Sequence, residues 1–159
     1  MSKIRYATVR DRKNVEELLT RIDGEFFPPI SVQEGSLPNY ASKLLETGRI
    51  ALMEDETIQG VLGYFKTENL SCDLLWISPE KRSTIATYNL LKFVFDQEKP
   101  EGRIEAKTWE TNTRMIAMLT RLGFILENKI ERDYIPQRNS VVFSINANDL
   151  YKKFTRRQL

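Results

Sequence analysis

The sequence predicts a mixed α/β fold built as a single domain of residues 1–159, and three observations lead to this prediction. The length of 159 residues suits one domain of ordinary size, and 41% hydrophobic residues suffice for a substantial core. Apolar residues alternate in some segments and recur at helical spacing in others. Residues 71–78 contain the apolar run Leu74–Ile77, which is typical of a central strand covered on both faces.

The first half of the chain predicts one strand, two helices and a hairpin. Asp11 and Ser36 are placed to cap the two helices, because apolar residues at helical spacing follow each of them. Between the helices, Pro28 and Pro29 favour an extended loop. The predicted elements are a strand at 4–10, a helix at 12–22, a helix between Ser36 and Gly48, and strands at 49–54 and 57–66.

The second half predicts alternating strands and helices. Pro79 breaks the apolar strand, and Gly123 ends a helix that begins at Asn112. The predicted elements are a strand at 71–78, a helix at 84–97, a strand at 103–109, a helix at 112–122, and strands at 124–134 and 140–146. The order β-α-α-β-β-β-α-β-α-β-β indicates a mixed sheet with helices on both faces. Residues 147–159 are predicted to be a basic, solvated tail.

Composition excludes several kinds of chemistry. The chain has no histidine and one cysteine, and 24 Lys and Arg nearly balance 22 Asp and Glu. The lack of histidine removes Ser-His-Asp and Cys-His catalysis and His-ligated zinc, and one cysteine provides no internal disulfide and no thiolate cluster, so no metal is expected. Acids and bases must therefore be carboxylates, tyrosine, lysine, cysteine, backbone groups or water.

Charge and hydropathy also limit the partners. A net charge of +2 lacks the basic excess of a dedicated nucleic-acid binder. No apolar run of about 20 residues predicts a membrane span, and the first residues carry no secretory segment. We therefore expect a cytoplasmic protein without a nucleic-acid or membrane partner.

Two stretches carry the candidate chemistry. In the first, a buried strand ends at Ile77 and leads through the basic, hydroxyl-rich segment 81–87 into a helix. A helix N-terminus presents unpaired N–H groups and a partial positive charge, which suit a phosphate. In the second, a helix over 112–122 stops at Gly123 and the chain restarts as a strand. Each stretch alone is ordinary, because a solvated turn before a helix has the same pattern.

Together, in this order, the two stretches resemble the GNAT superfamily of acyl-CoA-dependent N-acetyltransferases. Ile77-Ser78-Pro79-Glu80-Lys81-Arg82 fits the first motif of the family. The second motif is matched by Asn112, Arg114, Ile116, Leu122, Gly123 and Phe124. Ile4-Arg5-x-Ala7-Thr8-x-x-Asp11 is similar to the opening of these proteins, so the resemblance spans residues 3–146. It implies a mostly antiparallel sheet that splays between its fourth and fifth strands.

The resemblance also implies a cosubstrate and a mechanism. Acetyl-CoA would lie between the strands at 71–78 and 103–109, with its pyrophosphate on the N–H groups of residues 82–87. An amine would attack the thioester directly, after losing a proton. The implied cofactor-binding residues are Trp76, Ile77, Arg82, Ser83, Thr84, Ile85, Ala86, Thr87 and Asn112.

The chain departs from the family at functional positions. Three motif glycines are replaced by Ser83, Ile85 and Thr87, and glycine there lets the backbone approach the pyrophosphate. Ile85 is the least suitable replacement because it is bulky and β-branched. The tyrosine that usually protonates the leaving thiolate is replaced by Leu119. Either another side chain or water protonates the thiolate in place of this tyrosine, or the chain has lost the transfer chemistry.

Candidate catalytic residues follow from this pattern. Asp73 is the leading candidate for the base because it is a carboxylate in the apolar strand, four residues before Ile77; the alternative is a strand-edge aspartate held by a turn. Glu110 is a weaker candidate, since a carboxylate at a helix start has a structural explanation. Tyr134 and Tyr88 are candidate proton donors, each with packing as its alternative role. Cys72 is interpreted as a small buried hydrophobe.

The acceptor site in this family forms from two loops, here residues 23–31 and 132–139. The predicted substrate-binding residues are Glu25, Phe26, Phe27 and Asp133, near Gln137 and Arg138. Residues 26–31 and 40–45 look like a bacterial GNAT subgroup, and the mixed charges suit an amine with an anionic or hydroxyl-rich part. A homodimer is common in the family, although no residue here fixes an interface.

Two functions remain open at this stage. The first is an N-acetyltransferase that transfers an acetyl group from acetyl-CoA to a small primary amine. The second is a catalytically inactive GNAT-fold module for binding or regulation. The intact Pro-Glu-x-Arg and Leu-Gly-Phe frames favour the enzyme, whereas Leu119 and the missing glycines favour the module.

Overall fold

The computed structural model describes residues 2–156, except for the side chain of Thr84. The strands are β1 (Lys3–Tyr6), β2 (Arg49–Glu54), β3 (Ile58–Lys66), β4 (Leu70–Ile77), β5 (Arg103–Trp109), β6 (Ile125–Ile130) and β7 (Ser140–Asn146). The helices are α1 (Arg12–Ile22), α2 (Ile30–Glu34), α3 (Leu37–Glu46), α4 (Thr84–Glu98), α5 (Thr113–Arg121) and α6 (Ala147–Arg156). The mixed α/β fold is confirmed, and so is the predicted order of seven strands and the four helices α1, α3, α4 and α5; α2 and α6 were not predicted.

The strands form one seven-stranded sheet in the order β1-β2-β3-β4-β5-β7-β6. Neighbouring strands are antiparallel except for β4 and β5, which are parallel. That parallel pair is joined only from Leu70 to Cys72, opposite residues 104–106. Beyond this point β4 continues to Ile77 and β5 to Trp109 without pairing. The predicted splay between the fourth and fifth strands is therefore present.

A β-bulge lies where the splay begins. Gly63 pairs with Leu74 and Tyr64 with Cys72, so Asp73 has no partner on β3. A bulge bends its strand and re-aims the extra side chain. The bulge and the last parallel pair at Cys72 coincide, and they turn the end of β4 away from β5.

Helices cover both faces of the sheet, as predicted. On one face, α1, α2 and α3 pack on β2, β3 and β4 through a core that includes Leu19, Leu44 and Trp76. On the other face, α4, α5 and α6 share a second core that includes Leu90, Leu122 and Phe143. Burying apolar area stabilises the fold by roughly 25 cal/mol per Å², so both faces contribute. The sheet lies between the two cores and carries the cleft described below.

Two expectations for secondary structure were wrong. Residues 30–34, in and beyond the predicted extended loop, form α2, because Pro29 takes the extended conformation that precedes a helix and Ile30 is 3% exposed. Residues 147–156 were expected to be a solvated tail but form α6. Its apolar stripe Ala147, Leu150 and Phe154 is buried, and the basic residues lie toward solvent. The rest of that predicted tail, residues 157–159, lies outside the described residues.

The junction between β1 and α1 also differs from the prediction, because the strand expected at 4–10 ends at Tyr6. Asp11 makes no capping hydrogen bond to α1; Thr8 caps a 3₁₀ turn at Val9–Asp11 in a capping box with Asp11. The Asp11 carboxylate instead receives two hydrogen bonds of 2.9 Å from Arg5 on β1. Along residues 2–156, no helix is long and apolar enough to cross a membrane.

Candidate functional site

A cleft of about 800 Å³ lies where β4 and β5 separate. Its walls come from β4, β5, the start of α4, the inner face of α5 and the segment that joins α1 to α2. Of the predicted site residues, those on the walls are Glu25, Phe26, Phe27, Asp73, Trp76, Ile77, Arg82, Ser83, Thr87 and Asn112. Ligand sites are typically concave cavities of this size, so most of the predicted residues meet at one candidate site.

The start of α4 forms one end of the cleft. Ser83 is the N-cap and accepts a hydrogen bond of 3.1 Å from the Ala86 amide, and the Thr87 hydroxyl donates to the Ser83 carbonyl at 3.3 Å. Ile85 is 57% exposed and is not part of the cleft wall, so its side chain does not fill the predicted pyrophosphate position. Ala86 packs into the core. The prediction for the Thr84 side chain falls outside the described residues.

Arg82 joins the two ends of the cleft. Its guanidinium donates to the carbonyl oxygen of Ile77 at 2.9 and 3.2 Å and lies 3.4 Å from the Glu25 carboxylate. The Trp76 indole N–H donates to the same carboxylate at 3.2 Å. Glu25 therefore holds the end of β4 and the first turn after it. Trp76 points its ring toward the α1–α3 core, so any contact with a ligand would come from its backbone.

Helix α5 supplies cations and an apolar floor. Arg114 and Arg121 lie on the cleft wall with Leu119, which is 2% exposed and offers no proton. Asn112 caps the helix, since its side chain accepts from the Met115 amide at 3.3 Å and donates to the Thr108 hydroxyl at 3.0 Å. With Arg82, the two α5 arginines give this end of the cleft a positive character suited to phosphates.

Asp73 lies on the other end, held by a buried tyrosine. The Tyr40 hydroxyl donates to the Asp73 carboxylate at 2.5 Å, and burial together with Asp73 raises the pKa of Tyr40 far above its usual range. Tyr40 is thus a permanent donor that fixes the carboxylate, while Asp73 itself is exposed to the cleft. Glu34 of α2 adds a second carboxylate, whose pKa is raised by burial and then by the charge of Asp73.

A basic wall formed by Lys107, Asp133, Tyr134 and Arg138 lies opposite. Lys107 donates to Asp133 at 2.9 Å, and its hydrogen bonds to Tyr134 and Asp133 outweigh burial, so its pKa is raised. Burial acts to raise the pKa of Asp133, but bonds from Lys107 and Ser140 outweigh it and the pKa is lowered. The Tyr134 ring contacts two cations, because its centroid lies 4.3 Å from the Lys107 ammonium and 5.0 Å from the Arg138 guanidinium. Lys107 and Arg138 line the cleft directly.

Aromatic rings complete this end. Phe27 stacks on Trp109 with ring centroids 4.2 Å apart, and both rings line the cleft beside Phe26. The Phe27 carbonyl accepts a hydrogen bond of 2.6 Å from Arg138, which joins the α1–α2 segment to the β6–β7 loop. The two loops predicted to form an acceptor site are therefore in contact.

Other candidates have structural partners. Tyr88 is 2% exposed and donates to the Phe154 carbonyl at 3.2 Å. Glu110 bonds Lys129 and Asn139, which lower the pKa of its carboxyl. Asp133 and Tyr134 contact Lys107 but do not line the cleft themselves, so the substrate-binding role of Asp133 and the proton-donor role of Tyr134 stay predictions. Cys72 lies at the inner end of the cleft, where burial raises the pKa of its thiol to about 12.

Sequence reasoning missed Glu34, Tyr40, Lys107 and Trp109, and it gave Arg114 and Arg121 no binding role. Tyr40 lies in the predicted second helix and received no role of its own, and Glu34 belongs to the unexpected helix α2. A signal existed for Lys107 and Trp109, because residues two apart on a strand share one face. Among residues 2–156, no cluster of three or more Cys, Asp or Glu could hold a metal ion.

The fold is that of the GNAT-family acetyltransferases. A GNAT-family acetyltransferase from Bacillus cereus ATCC 10987 superposes with a TM-score of 0.69 and 22% identity, covering 92% of this chain and 97% of that chain. The ribosomal-protein-S18-alanine N-acetyltransferase of Escherichia coli gives a TM-score of 0.75 at 14% identity, covering 92% and 94%. The yncA protein of Salmonella typhimurium, whose structure contains its cofactor acetyl-CoA, gives 0.67 at 11% identity, covering 92% and 94%.

Sequence comparisons add nothing to these structural likenesses. No family model matches the chain, and a search of curated proteins finds no match. The likeness at these identities concerns the fold.

The residues present fit acetyl-CoA. The splayed strands leave the backbone of β4 from Leu74 to Ile77 unpaired toward β5. The exposed position of Ile85 leaves the α4 N-terminus clear, and three arginines lie on the same cleft. An adenine nucleotide with phosphates and an extended amide arm requires these features: anion-binding N–H groups, cations and an open strand edge.

Proposed function

We propose that the protein is an acetyl-CoA-dependent N-acetyltransferase that acts on a primary amine of a small molecule by direct attack. The observation that carries the proposal is the cleft at the β4–β5 splay. It joins a cationic end at α4 and α5 to an acidic and aromatic end at Asp73. The fold of acetyltransferases, including one that contains acetyl-CoA, supports it.

Each end of the cleft has a distinct task. The start of α4 and the arginines Arg82, Arg114 and Arg121 would hold the phosphates of the cosubstrate, which supplies the acetyl group as a thioester. The free edge of β4 would orient the cosubstrate through backbone hydrogen bonds. Asp73, fixed by Tyr40, accepts the proton of the amine directly or through water. Because Leu119 offers no hydroxyl, solvent in the open cleft returns a proton to the thiolate.

Calorimetric titration of acetyl-CoA and of free CoA at moderate salt tests the proposal. We expect acetyl-CoA and free CoA both to bind with micromolar affinity, because the proposed contacts are with the phosphates and the extended arm, which the two molecules share. The variant R114E should weaken binding about 10- to 100-fold, since a charge-assisted hydrogen bond contributes about 1.5–3 kcal/mol. The control R132E makes the same change on an exposed loop residue outside the cleft and should leave affinity unchanged.

The outcomes separate the two candidate functions. Binding followed by release of free thiol with an amine establishes the transferase. No heat and no thermal shift at millimolar acetyl-CoA rejects it and favours the binding or regulatory module, which the buried Leu119 and the lost glycines support. The proposed setting is the cytoplasm, and neither a nucleic acid, a membrane nor a homodimer is required for the chemistry.

A further inference from the structure

Arg138 is a buried cation on the wall of the cleft. It is 5% exposed, and it belongs to the loop between β6 and β7. Its Nε donates to the Ser140 hydroxyl at 2.7 Å, and its Nη1 donates to the Phe27 carbonyl at 2.6 Å. These two hydrogen bonds fix the plane of the guanidinium group, and they therefore also fix the position of its third nitrogen, Nη2.

That remaining nitrogen, Nη2, has no acceptor among residues 2–156, and no described carboxylate lies within 4.0 Å of the guanidinium. Asp133, which acts on Arg138 only by its charge, is bonded to Lys107 and Ser140. No fully buried side-chain nitrogen or oxygen among the described residues lacks a partner. Nη2 is therefore accessible, and the accessible space beside Arg138 is the cleft.

A buried cation without a paired anion is costly, and mutual pairing with a carboxylate offsets that cost. Nη2 carries two N–H donors on a charged group, and a charge-assisted hydrogen bond from such a donor to a carboxylate is stronger than a neutral one. Lys107 adds a second cation on the same wall and Asp133 one anion, so the wall carries one net positive charge. One net charge suits a monovalent carboxylate rather than a divalent phosphate.

The opposite side of the same space is acidic. Asp73 is exposed to the cleft, and its charge acts on the nearby Glu34, which also lies within reach of the charge of Lys107. Two neighbouring carboxylates attract an ammonium group. A ligand with an amine toward Asp73 and a carboxylate toward Arg138 would neutralise both sides, and its remaining atoms would face the Phe27–Trp109 stack.

We propose that the acceptor is an amino acid, whose carboxylate binds Arg138 and whose amine lies at Asp73. The proposal rests on the proposed acetyl transfer for its chemistry, but the binding site stands on Arg138 itself. In the reaction, the amine nitrogen bonds to the acetyl carbon as the carbon–sulfur bond breaks. Asp73 first takes one proton from the bound ammonium, so that the neutral amine can attack. The nitrogen releases its second proton to solvent as the amide forms, and the thiolate gains a proton from solvent.

The test compares amino acids with amines that lack only the carboxylate. The twenty standard amino acids are screened, and two are matched with their decarboxylated forms: L-phenylalanine with phenethylamine, and L-leucine with isopentylamine. Binding is measured by calorimetry without acetyl-CoA, and thiol release with it. We expect at least one amino acid to bind and to react 10- to 100-fold better than amines without a carboxylate.

Variants assign that preference to Arg138. In R138Q, the preference for an amino acid over its decarboxylated amine should fall to about threefold or less. The affinity for acetyl-CoA should stay the same. R10Q removes a charge from an exposed arginine outside the cleft and outside both predicted acceptor loops, and it should retain the full preference. Equal or better binding and turnover of the decarboxylated amines, or a preference that survives in R138Q, overturns the proposal. If R138Q does not fold, the wild-type comparison alone decides.

The two proposals fail in different ways. Amino-acid binding that depends on Arg138 without any binding of acetyl-CoA supports this site and rejects the transferase. Acetyl-CoA binding with turnover only of amines that lack a carboxylate supports the transferase and rejects this site. An absence of amino-acid binding and turnover across the screen also rejects it.

Discussion

Asp73 illustrates how a single residue gains a position in the cleft. The bulge opposite Gly63 and Tyr64 removes it from the pairing of β4, and Tyr40 then holds its carboxylate. A carboxylate within an apolar strand was visible in the sequence, so Asp73 was predicted as the base. Glu34 and the role of Arg138 were not predicted, because each depends on residues far away in the chain that meet only after folding.

The substitution D73N should remove the proton acceptor while keeping the size of the side chain. We expect kcat/KM for acetyl transfer to fall about 100-fold or more, with the affinity for acetyl-CoA unchanged. Steady-state thiol release and calorimetry measure the two quantities. The control D96N, on the exposed outer part of α4, should leave both unchanged. Full activity in D73N would remove Asp73 from the mechanism.

Secondary-structure elements were predicted where periodicity extends over several turns or residues. The hairpin of β2 and β3 and the helices α4 and α5 fall within two residues of their predicted bounds. Helix α2 was missed because five residues are too few to display a helical period. Helix α6 was missed because its charge was given more weight than the i, i+3, i+7 spacing of Ala147, Leu150 and Phe154.

Helix α6 is predicted to be a necessary support for α4. Phe154 packs edge-on against Tyr88 and Phe95, with ring centroids 4.9 and 5.3 Å away, and is 5% exposed. F154A should lower the free energy of unfolding by about 3–5 kcal/mol, because it leaves a cavity. Y151A changes a residue on the exposed side of the same helix and should lower the free energy of unfolding by less than about 1 kcal/mol. Urea unfolding measures both, and equal small losses would contradict a packed α6.

The junction between β1 and α1 is predicted to be sensitive to acid. Arg5 holds the pKa of Asp11 down at about 2, through hydrogen bonds that outweigh burial. Because the folded pKa is below the unfolded value of about 3.9, this stabilisation is complete above pH 4. It is lost as the pH falls through 2. At pH 7, the substitution D11N should lower the free energy of unfolding by about 2 kcal/mol.

Urea unfolding at several pH values tests this linkage. The difference between wild type and D11N should shrink as the pH approaches 2. The control E17Q changes an exposed carboxylate of α1 and should alter stability by less than about 0.5 kcal/mol at any pH. A D11N difference that is independent of pH would show that the Arg5 ion pair does not contribute.

At the scale of the whole molecule, the chain organises two chemical environments around one gap in the sheet. Cations from α4 and α5 lie at one end, and residues from α1–α2, β4, β5 and the β6–β7 loop meet at the other. The chain order of the predicted elements follows from local patterns, and the splay between the fourth and fifth strands follows from the family resemblance. The residues that meet at the Asp73 end of the cleft could not be predicted in this way, since they come from four distant segments of the sequence.

The three-residue pairing between β4 and β5 has an evolutionary consequence. The gap exists because of which backbone residues pair, and no substitution at Ser83, Ile85 or Thr87 alters that pairing. A frame specified by register tolerates drift in the loops around it, as structural neighbours of 11–22% identity illustrate. The residues at the rim of the sheet can therefore change while the gap between β4 and β5 is kept.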